Sequence, residues 1–264
     1  MEIRHATSPE QIRSFDTTEL RSRYLVEDLF GPHITAVYTH HDRMVVAGTK
    51  PAKATKLETE DPLRSEHFLQ RRELGVVNIG DTGTVTVDGV PYEMDNKDGL
   101  YVGMGAREVT FERGTFYLVS APAHTTHPTT LRRLKDVEPL RLGSAEGSND
   151  RTIHRYGFRS CQLVMGVTVL EPGSMWNTMP CHTHDRRTEV YLYFDLPPGE
   201  RVIHLMGRPD ETRNLVVADG QAVISPSWSV HCGFGTRSYS FVWAMAGENQ
   251  AFDDMDQVAV TEMR

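Results

Sequence analysis

Pro180-Cys181-His182-Thr183-His184-Asp185-Arg186-Arg187-Thr188-Glu189-Val190-Tyr191-Leu192-Tyr193-Phe194 is the stretch whose reading decides the fold. Two histidines stand two residues apart, a glutamate follows, and then comes a run of β-formers without Gly or Pro. Successive side chains of a strand point to opposite faces, so His182 and His184 can point the same way. A loop can return the chain so that Glu189 opens the next strand beside them. Two imidazoles and a carboxylate converging from adjacent strands form most of a metal site.

Outward from this stretch the period-two pattern recurs. Upstream, strands are expected at Ile34 to Tyr38, Met44 to Ala47, Leu74 to Ile79, Gly83 to Val87, Gly99 to Val102, Glu108 to Phe111 and Thr115 to Val119. Asp88-Gly89 between two such runs signals a two-residue hairpin. In the second half, strands are expected at Cys161 to Leu170, Glu189 to Phe194, Arg201 to Met206, Asn214 to Val217, Ala222 to Ser225 and Tyr239 to Met245. Short strands with turn residues between them mean a β-sandwich or barrel. Residues 48–65 read as a loop with an uncertain strand, and Leu131-Arg132-Arg133-Leu134 as a short turn of helix. Gly143 to Asp150 is a compositional break. The expectation is a mainly β chain of two similar barrels, residues 1–145 and 146–264, with a short N-terminal helix. That helix should start at Asp16-Thr17-Thr18-Glu19, a capping box, and run to about Phe30, before Gly31-Pro32. The acidic C-terminal segment 248–256 should wrap the barrel or meet a neighbouring subunit.

Composition narrows the function. The 264 residues carry a formal net charge of −8 and no basic tract, which argues against a nucleic-acid partner. An anionic substrate would therefore need local arginines. No run approaches the ~20 apolar residues of a membrane span. Met1 to His5 lacks the apolar core of a signal peptide, and the reading places the chain in the cytoplasm. Three scattered cysteines, Cys161, Cys181 and Cys232, make no disulfide framework.

A fourth ligand should come from a later strand. His231, in Ser225-Pro226-Ser227-Trp228-Ser229-Val230-His231, follows a turn at a strand start. The set His182, His184, Glu189, His231 matches the metal motifs of the cupin superfamily, with Trp228 standing where the second motif has Gly. The competing reading for each is a hydrogen-bonded histidine or a surface glutamate. Alternation puts Arg187, Tyr191 and Tyr193 on the face of Glu189, and Trp176 and Thr178 in step with His182. Cys181 and Cys232 fall on the opposite parity. This ligand set holds Zn, Mn, Fe, Co or Ni without choosing among them. The first half has no such set, so one metal per chain is expected.

Longer strings carry a narrower resemblance. Trp176-Asn177-Thr178-Met179-Pro180-Cys181-His182-Thr183-His184, Arg186-Arg187-x-Glu189-Val190-Tyr191, Ala222 to Ser229 with His231, and Gly247 to Asp256 resemble the bacterial 5-keto-4-deoxyuronate isomerases. So do Arg71 to Val76, Asp98 to Gly103 and Ala121 to Thr126 in the first half. The resemblance runs nearly end to end and is weakest over residues 51–67 and 128–150. It implies a two-barrel cupin, a homohexamer, and one zinc on His182, His184, Glu189 and His231. The implied reaction turns 4-deoxy-L-threo-5-hexosulose uronate into 3-deoxy-D-glycero-2,5-hexodiulosonate, a step in pectin breakdown.

Such a ketol isomerisation needs a Lewis acid, a proton shuttle and a cation for the substrate carboxylate. Arg187 is the first choice of cation, then Arg186, Arg71 and Arg72. Tyr193 and Trp176 are further substrate-binding candidates. Tyr191, Glu171 and Asp185 are the candidates for proton transfer. The alternatives are an iron-dependent cupin dioxygenase and a non-catalytic sugar-binding cupin.

Overall fold

The computed structural model describes residues 1–264, and its regular structure is mainly short strands, nearly all paired antiparallel. Its contacts divide it into two compact units. The first comprises Met1–Arg4, Asp28–Glu138 and Arg155–Met165; the second comprises His5–Glu27, Pro139–His154 and Gly166–Arg264.

Each unit pairs a seven-stranded sheet with a four-stranded sheet, and the two units repeat one topology. At the centre of the first unit's larger sheet, Phe116–Pro122 lies between Val45–Thr49 and Arg72–Asn78, with Gly99–Val102 beyond. In the second unit, Ser240–Gly247 lies next to Val164–Leu170 and Arg187–Phe194, with Gln221–Ser225 beyond. The smaller sheets run Thr55–Lys56, Val109–Arg113, Gly83–Val87, Val90–Met94 and, correspondingly, Trp176–Asn177, Cys232–Gly235, Val202–Arg208, Glu211–Val217. The expected pair of similar β units is thus present. Alternating apolar residues fill the first unit between its sheets, among them Val76, Val85, Leu100, Phe111 and Phe116. The Asp88-Gly89 turn has φ of 47° and 83°, the left-handed pair that a type I′ hairpin requires.

Each unit draws on three separate segments of the chain, in place of the single expected boundary at 145/146. The helix starts as expected, with the Asp16 side chain accepting from Glu19 N at 2.8 Å. It spans only Thr17–Tyr24, not the stretch to Phe30. Leu25 and Val26 leave it as a strand paired with Val223 and Ala222, because their backbone groups and apolar side chains complete the edge of the second unit's sheet. Leu131 likewise sits in a strand, Thr130–Arg132, paired with Gly99–Tyr101; the helical turn follows at Leu134–Asp136.

Residues 155–165 are fixed in the first unit by one buried carboxylate. Glu73 accepts N–H bonds from Cys161 at 2.7 Å, Gln162 at 2.7 Å and Leu163 at 2.9 Å, and the Tyr101 hydroxyl at 2.7 Å. A buried amide left without a partner costs about 1–3 kcal/mol. Glu73→Ala should therefore lower stability to chemical denaturation by about 3 kcal/mol or more, and Glu73→Gln by less. Equal midpoints for wild type and Glu73→Ala would contradict this role.

Candidate metal centre and its cavity

The four expected ligands meet in the second unit. His182 opens a two-residue strand, His182–Thr183, that pairs with Asp256–Gln257 of the C-terminal segment. His184 closes the turn that enters Arg187–Phe194, with Arg187 N donating to its carbonyl at 3.0 Å. Glu189 is the third residue of that strand, facing Ser225 on one neighbour and Met245 on the other. His231 immediately precedes Cys232–Gly235. All four side chains are buried, and their ligand atoms lie within 4.8 Å of one another.

The donor set fits a cation. His182 Nε2 stands 3.1 Å from His231 Nε2. Glu189 Oε2 stands 2.8 Å from His231 Nε2 and 3.0 Å from His184 Nε2. Ligands bound to one ion at about 2.1 Å are separated by roughly 3.0–3.4 Å, depending on the angle between them. The Nδ1 of His184 lies 3.0 Å from Arg187 O, and that of His231 lies 3.2 Å from Ser229 O. A carbonyl only accepts, so Nδ1 carries hydrogen in both rings, and Nε2 of each neutral ring offers a lone pair inward. A single proton on His231 Nε2 cannot serve both Glu189 and His182 well; an ion shared by four donors serves all of them.

Burial alone would raise the Glu189 carboxyl, but His231 and His184 outweigh it and hold it well below the usual range. Burial and the His231 charge push His182 down to about 2. Burial also pulls His184 down, yet its bond to Glu189 leaves it raised overall.

A cavity of about 250 Å³ opens beside these groups. Its wall includes His182, Glu189, Tyr191, Thr178, Gln257 and Arg151, with Phe241, Trp243, Met245 and Phe252 as apolar surface. Cross-strand register explains much of the wall: Glu189, Tyr191 and Tyr193 pair with Met245, Trp243 and Phe241 on one face of the sheet. Gly166 makes room for Trp243, since a Cβ there would stand 2.2 Å from the indole. The Tyr191 hydroxyl lies 3.1 Å from Thr178 Oγ1, and burial followed by the Glu189 charge pushes its pKa far up. Tyr191 therefore keeps its proton.

The other expected site residues are placed differently. Arg187 shares the face of Glu189 but is fully buried, and it donates to Ala251 O at 2.6 Å and Asp254 O at 2.8 Å. Its guanidinium straps down the C-terminal segment instead of lining the cavity. Arg186 does the same from outside, bridging Asp254 at 2.7 Å and Asp256 at 2.8 Å. The acidic segment thus wraps its own unit, the first of the two expected placements. The Tyr193 hydroxyl lies 2.7 Å from His204 Nδ1, in the interior. Trp176 packs on Phe234, ring centroids 4.6 Å apart. Glu171, in the turn after Val164–Leu170, accepts from Thr152 Oγ1 at 3.4 Å, and Asp185 is exposed; neither is on the cavity wall. Arg71 and Arg72 belong to the first unit, where Arg72 donates to Ser120 and to Arg43 O. Cys181 and Cys232 pack with Val230 and Val258 in a separate apolar cluster.

Sequence reasoning missed Arg151, whose strand Arg151–Arg155 was not expected at all. The signal was present: Arg151 and Ile153 alternate, and both line the cavity.

A family model described as the KduI/IolB family matches residues 27–263. The chain belongs to the KduI/IolB family. It is 58% identical, over the full length of both chains, to a protein of Kineococcus radiotolerans named 4-deoxy-L-threo-5-hexosulose-uronate ketol-isomerase. A protein of the same name from Escherichia coli is 49% identical, again over the full length of both. The family resemblance read from the sequence agrees with these findings. Among solved structures, an IolB-like protein of Salmonella typhimurium superposes with a TM-score of 0.68 at 15% identity, covering 96% of this chain and 91% of that one. Bacillus subtilis oxalate decarboxylase, described with Mn(II) centres, gives 0.56 at 12% identity, covering 79% of this chain and 70% of that one. These likenesses show the fold.

Two outcomes follow from the site. His184→Ala should reduce bound divalent metal from about one ion per chain to a small fraction, measured by elemental analysis of purified protein. Full metal content would remove His184 from the ligand set. The second concerns pH. Burial holds His41, His182 and His204 down at about 4, about 2 and about 3. Unfolded, they take up protons near ~6.5, so their contribution to stability is complete above that pH and is lost as pH falls below it. His184, raised, contributes in the opposite sense. Metal-stripped protein should lose stability between pH 7 and 5, by up to about 1.4 kcal/mol per pH unit for each net histidine. A flat profile in denaturant titrations would contradict this.

Proposed function

We propose that this chain is a metal-dependent ketol-isomerase that converts 4-deoxy-L-threo-5-hexosulose uronate to 3-deoxy-D-glycero-2,5-hexodiulosonate. The observation that carries the proposal is the cavity itself: two members of the four-donor cluster, His182 and Glu189, share its wall with the Tyr191 hydroxyl. Relatives matched over their whole length are named as ketol-isomerases of 4-deoxy-L-threo-5-hexosulose uronate.

Zinc is the ion proposed, held by His182, His184, Glu189 and His231. When bound there, it supplies a Lewis acid that draws electron density from a carbonyl oxygen. The chain's own residues bind, orient and shield the sugar. In the forward direction the proton taken from C2 to give the enediolate is matched by the one returned to C1, so the isomerisation is neutral in protons and electrons. Tyr191, which keeps its proton, can donate a hydrogen bond to the sugar oxygen on which negative charge grows. Glu189, as one of the four donors that would hold the ion, is not free to act as the base. Phe241, Trp243 and Phe252 exclude water, which protects the enediolate and strengthens every polar contact inside. The Arg186 and Arg187 straps hold the C-terminal segment, which brings Phe252, Met255 and Gln257 to the wall. We further propose a homohexamer acting in cytoplasmic pectin breakdown, as the family resemblance implies.

Metal-stripped wild type should stay folded and lose isomerase turnover at least 100-fold, and zinc should restore it without oxygen consumption. Turnover that needs iron and consumes O₂ would replace this reading with a dioxygenase. Unchanged turnover after stripping would exclude any metal role.

A further inference from the structure

Arg151 is the one cationic side chain on the wall of the metal-site cavity. It opens the strand Arg151–Arg155, opposite Leu142. Its Nη1 donates to the carbonyl of Asn149 at 2.8 Å, which leaves most of the fork's donors uncommitted. It takes part in no ion pair, although the charge of Asp150, its neighbour in the chain, acts on it through space. The other arginines near the site differ: Arg186 is neutralised by two aspartates, and Arg187 is spent on carbonyls of the C-terminal segment. Arg151 is half-buried, and that burial is the main influence on it, lowering its pKa against the opposing pull of Tyr191, Tyr239 and Asp150.

A guanidinium removed partly from water and given no counter-ion is costly unless an anion joins it. The surrounding wall is mostly apolar, so an anion bound there would be poorly screened and firmly held. We infer that Arg151 is the carboxylate anchor of the cavity, taking the acid group of a sugar acid in a forked pair of hydrogen bonds. The inference rests on the proposed uronate substrate and assigns its orientation. In that substrate the carboxylate and the reacting aldehyde sit at opposite ends of a six-carbon chain. With the acid end on Arg151, the aldehyde end is directed to the part of the wall formed by His182, Glu189 and Tyr191. Arg151 thus selects acids over neutral sugars and sets which carbon meets the donor cluster.

Two measurements test this on the metal-loaded protein. In the isomerase assay, Arg151→Gln should raise KM about 30-fold, equal to ~2 kcal/mol at 1.36 kcal/mol per tenfold, with zinc content unchanged. Arg151→Lys, which keeps the charge and loses the fork, should fall between the two. Calorimetric titration with D-galacturonate and its methyl ester supplies a readout free of turnover. Wild type should prefer the acid about 30-fold, and Arg151→Gln should show no preference. An unchanged KM in both variants, or an acid preference that survives Arg151→Gln, would overturn the assignment. If wild type fails to isomerise the uronate but shows the Arg151-dependent preference for the acid, the anchor stands and the proposed reaction fails.

Discussion

Two imidazole nitrogens facing each other at 3.1 Å, with a carboxylate oxygen 2.8 Å from one of them, define the constraint on which the second unit depends. Burying one such polar group without a partner is expensive, and a shared cation would satisfy all four at once. Everything around them serves that convergence. Two of the rings are fixed by backbone carbonyls, and Glu189 is fixed by a strand paired on both sides within the sheet. The approach strand of His182 is closed by Asp256–Gln257, which is itself tied down by Arg186 and Arg187.

The repeated topology shows what was kept and what was changed between the units. Arg72 and Arg187 both begin the corresponding strand, opposite the last residue of its neighbour, and both spend buried guanidinium groups on backbone carbonyls. Two residues on, the second unit has Glu189 and the first has Leu74, part of an apolar core. One register position thus carries a metal-ligand candidate in one unit and packing in the other. The shared arginines belong to the scaffold, which explains why parity placed Arg187 on the right face and still misassigned its role.

Much of this was legible because it depends on local periodicity. The capping box at Asp16, the Asp88-Gly89 hairpin and the central strands follow from spacing and turn chemistry, and the four ligands follow from motif order. What was not legible depends on contacts distant in sequence. The helix ends at Tyr24 because Leu25 and Val26 are claimed by a strand near residue 222. Alternation tells which face a side chain leaves from, not where a long side chain ends: Arg187 turns toward Ala251 and Asp254, and Tyr193 toward His204. Arg151 escaped notice because its strand follows a Gly- and Ser-rich break and is short, so its pairing with Leu142 has no local signature.

The central claim is that the four buried donors hold one ion that the cavity presents to a sugar acid. Anomalous diffraction from crystals of the purified protein, collected above and below the zinc edge, tests it most directly. A single strong peak per chain is expected, enclosed by the Nε2 atoms of His182, His184 and His231 and a carboxylate oxygen of Glu189. A map without that peak in fully active crystals, or with the peak on other residues, would contradict it.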